Sequence, residues 1–148
     1  MSQPVLIIVA PYYRDIADQL IAGATQAIAA HGLSAEIMEV PGALEIPPAI
    51  ALAADAKRYS SFVALGCVIR GETSHYDTVA NESARGLMDL AVRERLAIGN
   101  GILTCETEQQ ALLRANPHEG NKGGEAANAA IALHAIQQAF ALQTTGIA

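Results

Sequence analysis

The segment Arg70-Gly71-Glu72-Thr73-Ser74-His75 combines residue types that could bind an anion and move a proton. A glycine-containing turn at the start of a helix presents backbone N–H groups, and such groups favour a phosphate or a carboxylate. The Gly-x-x-x-x-Gly-Lys-Ser/Thr spacing is absent, so the match is looser than that of a P-loop. His75 is predicted to stand at the helix start, where a neutral imidazole suits a general base. A purely structural histidine is the alternative.

Arg114 and Lys122 form a second candidate anion site. They lie eight residues apart around the turn Gly120-Asn121-Lys122-Gly123-Gly124, in a chain with only nine Lys and Arg. Phosphate or carboxylate recognition fits this pattern, because both side chains donate charge-assisted hydrogen bonds. An exposed loop with scattered charges is the alternative.

Two further loops hold candidate binding residues. In the segment Pro11-Tyr12-Tyr13, an aromatic ring could stack on a flat heterocycle or could simply pack against a helix. Glu45 lies near a predicted helix start. It could accept hydrogen bonds from ligand hydroxyl or amide groups, or it could stand there only because helix N-termini favour carboxylates.

The cysteine and histidine pattern argues against a metal, a disulfide framework and a dinucleotide. The histidines do not stand at the spacings from the cysteines that metal sites use. The histidines are His31, His75, His118 and His134, and the cysteines are Cys67 and Cys105. Two cysteines make no disulfide framework, and Cys67 lies in a predicted buried strand where a thiol is inert. No Gly-x-Gly-x-x-Gly opens the first helix. We therefore expect neither a metal nor a dinucleotide.

These candidates follow predicted strands. Apolar runs rich in β-branched residues predict strands at 5–10, 35–40, 61–69 and 97–104. Helical spacing predicts helices at 14–30, 44–57, 74–95, about 107–115 and a last Ala-rich segment ending near 142. This alternation indicates an α/β domain with a mostly parallel sheet, in which ligands bind beyond the carboxyl ends of the strands. Gly99 and Gly101 indicate that another segment approaches the fourth strand closely.

Length and composition restrict the classes of function. The 148 residues suit a single domain over 1–148, and a hydrophobic fraction of 51% excludes intrinsic disorder. The net charge of −6 argues against a nucleic-acid partner. No apolar run reaches the about 20 residues that cross a bilayer, and no signal-peptide pattern is visible, so we expect no membrane partner and a cytoplasmic location. Only 16% of residues are charged, which favours a buried subunit interface.

Four segments in register resemble the lumazine synthase family. They are VPGALEIP at 40–47, LGCVIRGETSHYD at 65–77, GILT at 101–104 with Glu108, Gln109 and Arg114, and NKG at 121–123. The resemblance implies a flavodoxin-like, three-layer α-β-α sandwich with a four-stranded parallel sheet flanked by helices. It also implies a homopentameric ring whose active sites are shared between neighbouring subunits.

The implied activity is that of a transferase in the penultimate step of riboflavin biosynthesis. 5-Amino-6-(D-ribitylamino)uracil condenses with 3,4-dihydroxy-2-butanone 4-phosphate to give 6,7-dimethyl-8-ribityllumazine, phosphate and water. The family needs no cofactor for this reaction. His75 resembles the family residue that transfers protons.

The same resemblance assigns substrate contacts. Tyr12 would stack on the pyrimidine, while the ribityl chain and the ring would be held by Ala43, Leu44, Glu45, Cys67, Val68 and Ile69. The phosphate would be held by backbone N–H groups of Glu72 and Thr73, by Arg114 of the neighbouring subunit and by Lys122 as a second cation. Tyr12 stands where the family usually has Phe or Trp, and Asn100 stands where many members have an apolar or aromatic residue over the ring.

Two other classes of function remain open from the sequence. A flavodoxin-like binder of a phosphorylated ligand or flavin would keep the stacking ring and the anion loop but would not need His75. A structural shell protein would keep its interfaces and could lose Arg114. The presence of both His75 and Arg114 favours the enzyme.

Overall fold

The computed structural model describes residues 2–147, with side chains described as far as residue 142. The single domain predicted over 1–148 thus includes two positions, Met1 and Ala148, that lie outside the described residues.

Within this range, strands and helices alternate along the chain. The strands are β1 (Val5–Val9), β2 (Ala35–Glu39), β3 (Ser61–Ile69) and β4 (Ile98–Cys105). The helices are α1 (Arg14–Ala30), α2 (Ile46–Ala54), α3 (His75–Glu94), α4 (Glu108–Ala115) and α5 (Lys122–Ile147), and a 3₁₀ turn at Ala43–Glu45 precedes α2.

The strands form one parallel sheet in the order β2-β1-β3-β4. Val5 of β1 is paired with Ala35 of β2 on one side and with Ser61 of β3 on the other. Phe62 of β3 is paired with Ile98 of β4. The predicted parallel α/β sheet is confirmed, and all four strands point their carboxyl ends towards the same edge.

Helices cover both faces of the sheet, which gives the predicted α-β-α sandwich. Val5, Ile7 and Val9 of β1 face a core shared with α1, α4 and α5. Leu6 and Ile8 face the opposite core, which α2 and α3 complete. Because side chains alternate across a strand, a strand buried on both faces must be apolar at every position, as β1 is.

Two helices differ in extent from the sequence prediction. The helix predicted over 44–57 is shorter at both ends, because the chain first makes the 3₁₀ turn before Ile46 and leaves the helix after Ala54 in a turn that ends with Lys57 at a φ of 55°. Pro47 and Pro48 take the first-turn positions of α2, where their missing N–H groups cost little. The last helix runs to Ile147, beyond the predicted end near 142.

Over residues 2–147, no helix combines the length and apolar character that crossing a membrane requires.

We expect Gly99→Ala to lower the free energy of unfolding by about 1–3 kcal/mol, because overpacking forces backbone shifts. A Cβ atom at Gly99 would clash with the backbone carbonyl of Ala126 in α5, which is the close approach that the sequence indicates. Gly71→Ala is the control, since a Cβ there would meet no atom within 4 Å. Guanidinium titrations at one protein concentration would compare the two, and equal stabilities would contradict the packing argument.

Candidate active site

A pocket of about 460 Å³ opens at the carboxyl edge of the sheet, and we call it the His75 pocket. It brings together eight of the predicted site residues, which are Tyr12, Ala43, Leu44, Glu45, Cys67, Val68, Ile69 and His75. They come from the loops after β1 and β2, the end of β3 and the start of α3. Residues far apart in the sequence therefore share one cavity.

Three lining residues were not among the predicted site residues: Tyr13, Gly42 and Val79. Tyr13 and Gly42 adjoin predicted residues in the same loops. Val79 follows His75 by four positions, which is one turn along the same face of α3. That helical spacing was the available signal for Val79.

Tyr12 presents an aromatic surface at the pocket mouth. Its side chain is 79% exposed. The ring of Tyr13 meets it edge-on, with centroids 4.9 Å apart and an interplanar angle of 80°. A T-shaped contact covers at most one face of Tyr12, so the other face can still stack on a flat heterocycle. Burial raises the pKa of the Tyr13 phenol, with a smaller effect from Cys67.

The loop after β2 supplies a buried methyl group and an exposed carboxylate. Ala43 is buried, whereas Leu44 and Glu45 are exposed. The Glu45 N–H donates to the Gly42 carbonyl oxygen at 3.1 Å, which closes the 3₁₀ turn. A Cβ atom on Gly42 would lie only 3.1 Å from Glu45 Oε1, so glycine leaves room for the carboxylate at this position.

Cys67 lies at the half-buried end of β3, where the strand meets the pocket. Burial raises the pKa of its thiol to about 12, with smaller contributions from Cys105 and Glu108. Burial also raises the pKa of the Cys105 thiol. A thiol with this pKa stays protonated at neutral pH, and a protonated thiol is a poor nucleophile. The contribution of Cys67 to a bound ligand is therefore steric or through its backbone.

His75 begins α3 and is exposed to the pocket. Its backbone N–H donates to Thr73 Oγ1 at 3.3 Å. Glu72 and Thr73 lie in the exposed loop before it and do not line the cavity. Within the described part of the chain, no acceptor is hydrogen-bonded to the backbone N–H groups of Glu72 and Thr73. These groups remain available to an anion at the positive end of α3.

Three further predicted residues, Asn100, Arg114 and Lys122, line a second cavity of about 470 Å³, which we call the Arg114 pocket. It lies between β4, α4 and α5 and shares no lining residue with the His75 pocket. Asn100 Oδ1 accepts a hydrogen bond from the Ile102 N–H at 2.9 Å. A single chain thus places eight predicted site residues in one cavity and three in another, while Glu72 and Thr73 line neither.

The two cations of the Arg114 pocket differ in their partners. Arg114 Nη1 donates to the carbonyl oxygen of Gln110, one turn earlier in α4, at 3.2 Å. Lys122 Nζ lies 2.8 Å from Glu125 Oε2. The positive charge of Lys122 is thus partly neutralised by a carboxylate, whereas Arg114 is bonded to a neutral carbonyl and keeps donors for an anion.

Comparisons with known proteins agree on one family. A family model described as 6,7-dimethyl-8-ribityllumazine synthase matches residues 2–138. The chain is 60% identical over 144 residues to the 6,7-dimethyl-8-ribityllumazine synthase of Methylorubrum populi, covering 94% of this chain and 85% of that one. It is 55% identical over 139 residues to 6,7-dimethyl-8-ribityllumazine synthase 1 of Rhizobium meliloti, covering 90% and 91%. With the synthase of Sphingopyxis alaskensis the identity is 54%, covering 93% and 97%.

We expect Cys67 in the folded protein to react with iodoacetamide at pH 8 on the order of 100-fold or more slowly than in the guanidinium-unfolded chain. The thiolate is the reactive form, and a pKa raised to about 12 keeps it scarce. Raising the pH from 9 to 11 should accelerate labelling of the folded protein far more than labelling of the unfolded chain. Mass spectrometry of the Cys67 peptide measures both rates. Equal rates at pH 8 would mean that the pocket stabilises a thiolate.

Proposed function

This chain belongs to the 6,7-dimethyl-8-ribityllumazine synthase family and is an enzyme of riboflavin biosynthesis, and we propose that the His75 pocket is where its reaction takes place. The enzyme condenses 5-amino-6-(D-ribitylamino)uracil with 3,4-dihydroxy-2-butanone 4-phosphate. The products are 6,7-dimethyl-8-ribityllumazine, phosphate and water. The observation that carries the site assignment is that eight predicted residues from four separate segments of the chain line one cavity.

The aminouracil is assigned to the part of the pocket that Tyr12, the 3₁₀ turn and the end of β3 line. Tyr12 provides an open ring face for the flat pyrimidine. Cys67, Val68 and Ile69 supply backbone groups at the end of β3, where they can bond to ring atoms. The loop at Ala43–Glu45 holds the ribityl chain, whose hydroxyl groups can donate to the Glu45 carboxylate.

His75 is assigned the proton transfers. It first helps the amine of the aminouracil attack the ketone carbon, because removing a proton from the amine prevents reversal of the addition. It then assists the departure of phosphate. Holding the two substrates together supplies much of the acceleration by itself, since proximity removes an entropic barrier.

The phosphate is assigned to the loop before α3. The free backbone N–H groups of Glu72 and Thr73 and the positive end of the helix favour an anion there. Arg114 of the partner subunit completes the site with a planar guanidinium that can donate two parallel hydrogen bonds. Lys122 is a weaker second cation because Glu125 already holds its ammonium group.

The separation of the two cavities supports a site shared between subunits. The His75 pocket of one chain would face the Arg114 pocket of the next, with Asn100 placed over the ring. Such a contact joins two different surfaces, and it makes a ring when the rotation between neighbouring chains closes. We propose a ring of five chains, each of 15.4 kDa, giving a particle of about 77 kDa. A cytoplasmic location fits two free cysteines and no disulfide.

The direct test mixes both substrates with the protein and follows the fluorescence of the lumazine product. We expect turnover, and we expect His75→Ala to slow it by about 10–1000-fold, because general acid–base help is partly replaceable once the substrates are held together. A non-catalytic binder would show no turnover in the unaltered protein. An unchanged rate in His75→Ala would make His75 a structural residue.

Arg114→Ala should raise the KM for the butanone phosphate at least about 10-fold and leave the KM for the aminouracil within about 2-fold, since a charge-assisted hydrogen bond contributes roughly 1.5–3 kcal/mol. The matched control is Arg58→Ala, which removes an exposed arginine that pairs with Glu36 away from both pockets. Steady-state kinetics with each substrate varied in turn measures the two KM values separately. Equal changes in both KM values would contradict a phosphate contact.

Mixed rings test the shared site directly. His75→Ala and Arg114→Ala chains are unfolded together and refolded, so that some interfaces combine an intact His75 pocket with an intact Arg114 pocket. Random mixing restores about a quarter of the interfaces, by the symmetry of a head-to-tail ring. Recovered activity well above both parents is expected. Mixed rings without recovery would require all catalytic residues to lie within one chain.

A further inference from the structure

We propose that Arg70 is a positioning residue, which holds the first turn of α3 and therefore His75 and the phosphate-binding loop against the loop that follows β4. This inference rests on the proposed function, because it concerns the geometry of the same site. Arg70 lies outside the His75 pocket, and its side-chain partners Glu106, Asp77 and Tyr76 are not among the assigned substrate contacts. Arg70 would affect the reaction only through the residues that it holds in place.

Arg70 is anchored to the sheet through its backbone. It follows the last residue of β3, and its N–H donates to the carbonyl oxygen of Cys105 at 3.0 Å. This bond continues the ladder between β3 and β4 by one step. The base of the side chain is therefore fixed to the two neighbouring strands whose ends frame the site.

The guanidinium then contacts two separate segments. Its Nε donates to both carboxylate oxygens of Glu106, at 3.0 and 3.2 Å, in the loop after β4. Its Nη1 lies 3.5 Å from Asp77 Oδ1, and its central carbon lies 4.2 Å from the ring centroid of Tyr76. Hydrogen bonds and cation–π stacking act here on one planar group, which lysine cannot reproduce.

These contacts fall where α3 begins. Tyr76 and Asp77 directly follow His75 in the first turn of the helix. The loop between Arg70 and His75 is exposed at every residue, and the N-cap residue Ser74 makes no side-chain hydrogen bond to the helix. The Arg70 contacts therefore connect a weakly capped helix start to the sheet, and a shift of the helix start would move His75 with it.

Glu106 also connects Arg70 to the Arg114 pocket through hydrogen bonds. The Glu106 N–H donates to Gln110 Oε1 at 2.8 Å, within the first turn of α4. Gln110 in turn offers its carbonyl oxygen to Arg114. Arg70 thus links the start of the helix that carries His75 to the helix that carries Arg114 in the same chain.

A stabilising role alone predicts a different outcome from a positioning role. The Arg70 side chain is 42% exposed, and exposed ion pairs contribute little to stability. Small displacements of reacting groups, in contrast, reduce rates strongly, and a displacement of about 1 Å can cost on the order of 100-fold. Loss of Arg70 should therefore change the rate while leaving the stability almost unchanged.

The kinetic test compares Arg70→Met, Arg70→Lys and the control Arg85→Met. Arg85 also pairs with two carboxylates, Glu82 and Asp89, but both lie in its own helix. We expect Arg70→Met to lower kcat about 10-fold or more, with the KM for the aminouracil and the melting temperature close to those of the control. Arg70→Lys should recover only part of the rate. A kcat within 2-fold of the Arg85→Met value would overturn the proposal.

Hydrogen exchange gives a readout that does not depend on activity. We expect amides in residues 78–81 to exchange at least about 5-fold faster in Arg70→Met than in Arg85→Met, because the Thr78 N–H donates to the Ser74 carbonyl oxygen and opens when the helix start is released. Equal exchange would overturn the proposal even if the rate falls. If the unaltered protein showed no turnover, the proposed function would fail, and the exchange comparison alone would decide whether Arg70 holds the helix start.

Discussion

The parallel pairing of β1 with both β2 and β3 is the constraint on which the site depends. Parallel strands end at the same edge of the sheet, so the chain must return by a helix after each strand and begin the next one at the opposite edge. The loops after β1, β2 and β3 consequently meet around the His75 pocket. The pairing in turn requires that β1 be buried on both faces, which its continuous apolar run allows.

Close backbone contacts position the second pocket in a comparable way. A Cβ atom at Gly123 would clash with the carbonyl of Leu20, so the start of α5 lies directly against α1. A Cβ atom at Gly120 would come within 2.6 Å of Arg114 Cα, so this turn packs on the end of α4. These glycines fix where Lys122 and Arg114 stand relative to β4. The phosphate contacts that we propose for Arg114 and Lys122 would therefore rest on close-packed backbone.

The arrangement suits a reaction in which the protein supplies little covalent chemistry. The thiol of Cys67 stays protonated because burial raises its pKa to about 12. The pocket instead offers an open ring face at Tyr12, backbone groups and one imidazole at His75. Orientation of two substrates beside a proton carrier can account for most of the acceleration. On the proposed mechanism, residues that hold His75 in place, such as Arg70, affect the rate as well as those that touch substrate.

The sequence alone predicted the strands and the helices, while most residues of the His75 pocket were predicted from the resemblance to the lumazine synthase family. Burial on one or both faces leaves a local periodic pattern, and the motif around His75 is contiguous, so both can be predicted without coordinates. The extent of α2 was less predictable, because the 3₁₀ turn before Ile46 and the helix share similar apolar residues.

The tertiary structure alone decided which residues share a cavity. It placed Arg114 in a different pocket from His75, and it brought Arg70 to Glu106 across 36 positions of the sequence. Such contacts depend on the order and register of β3 and β4 and on how α5 packs, which no local pattern encodes. Periodicity records that a residue is buried or exposed, whereas the identity of its spatial neighbours follows only from the assembled sheet.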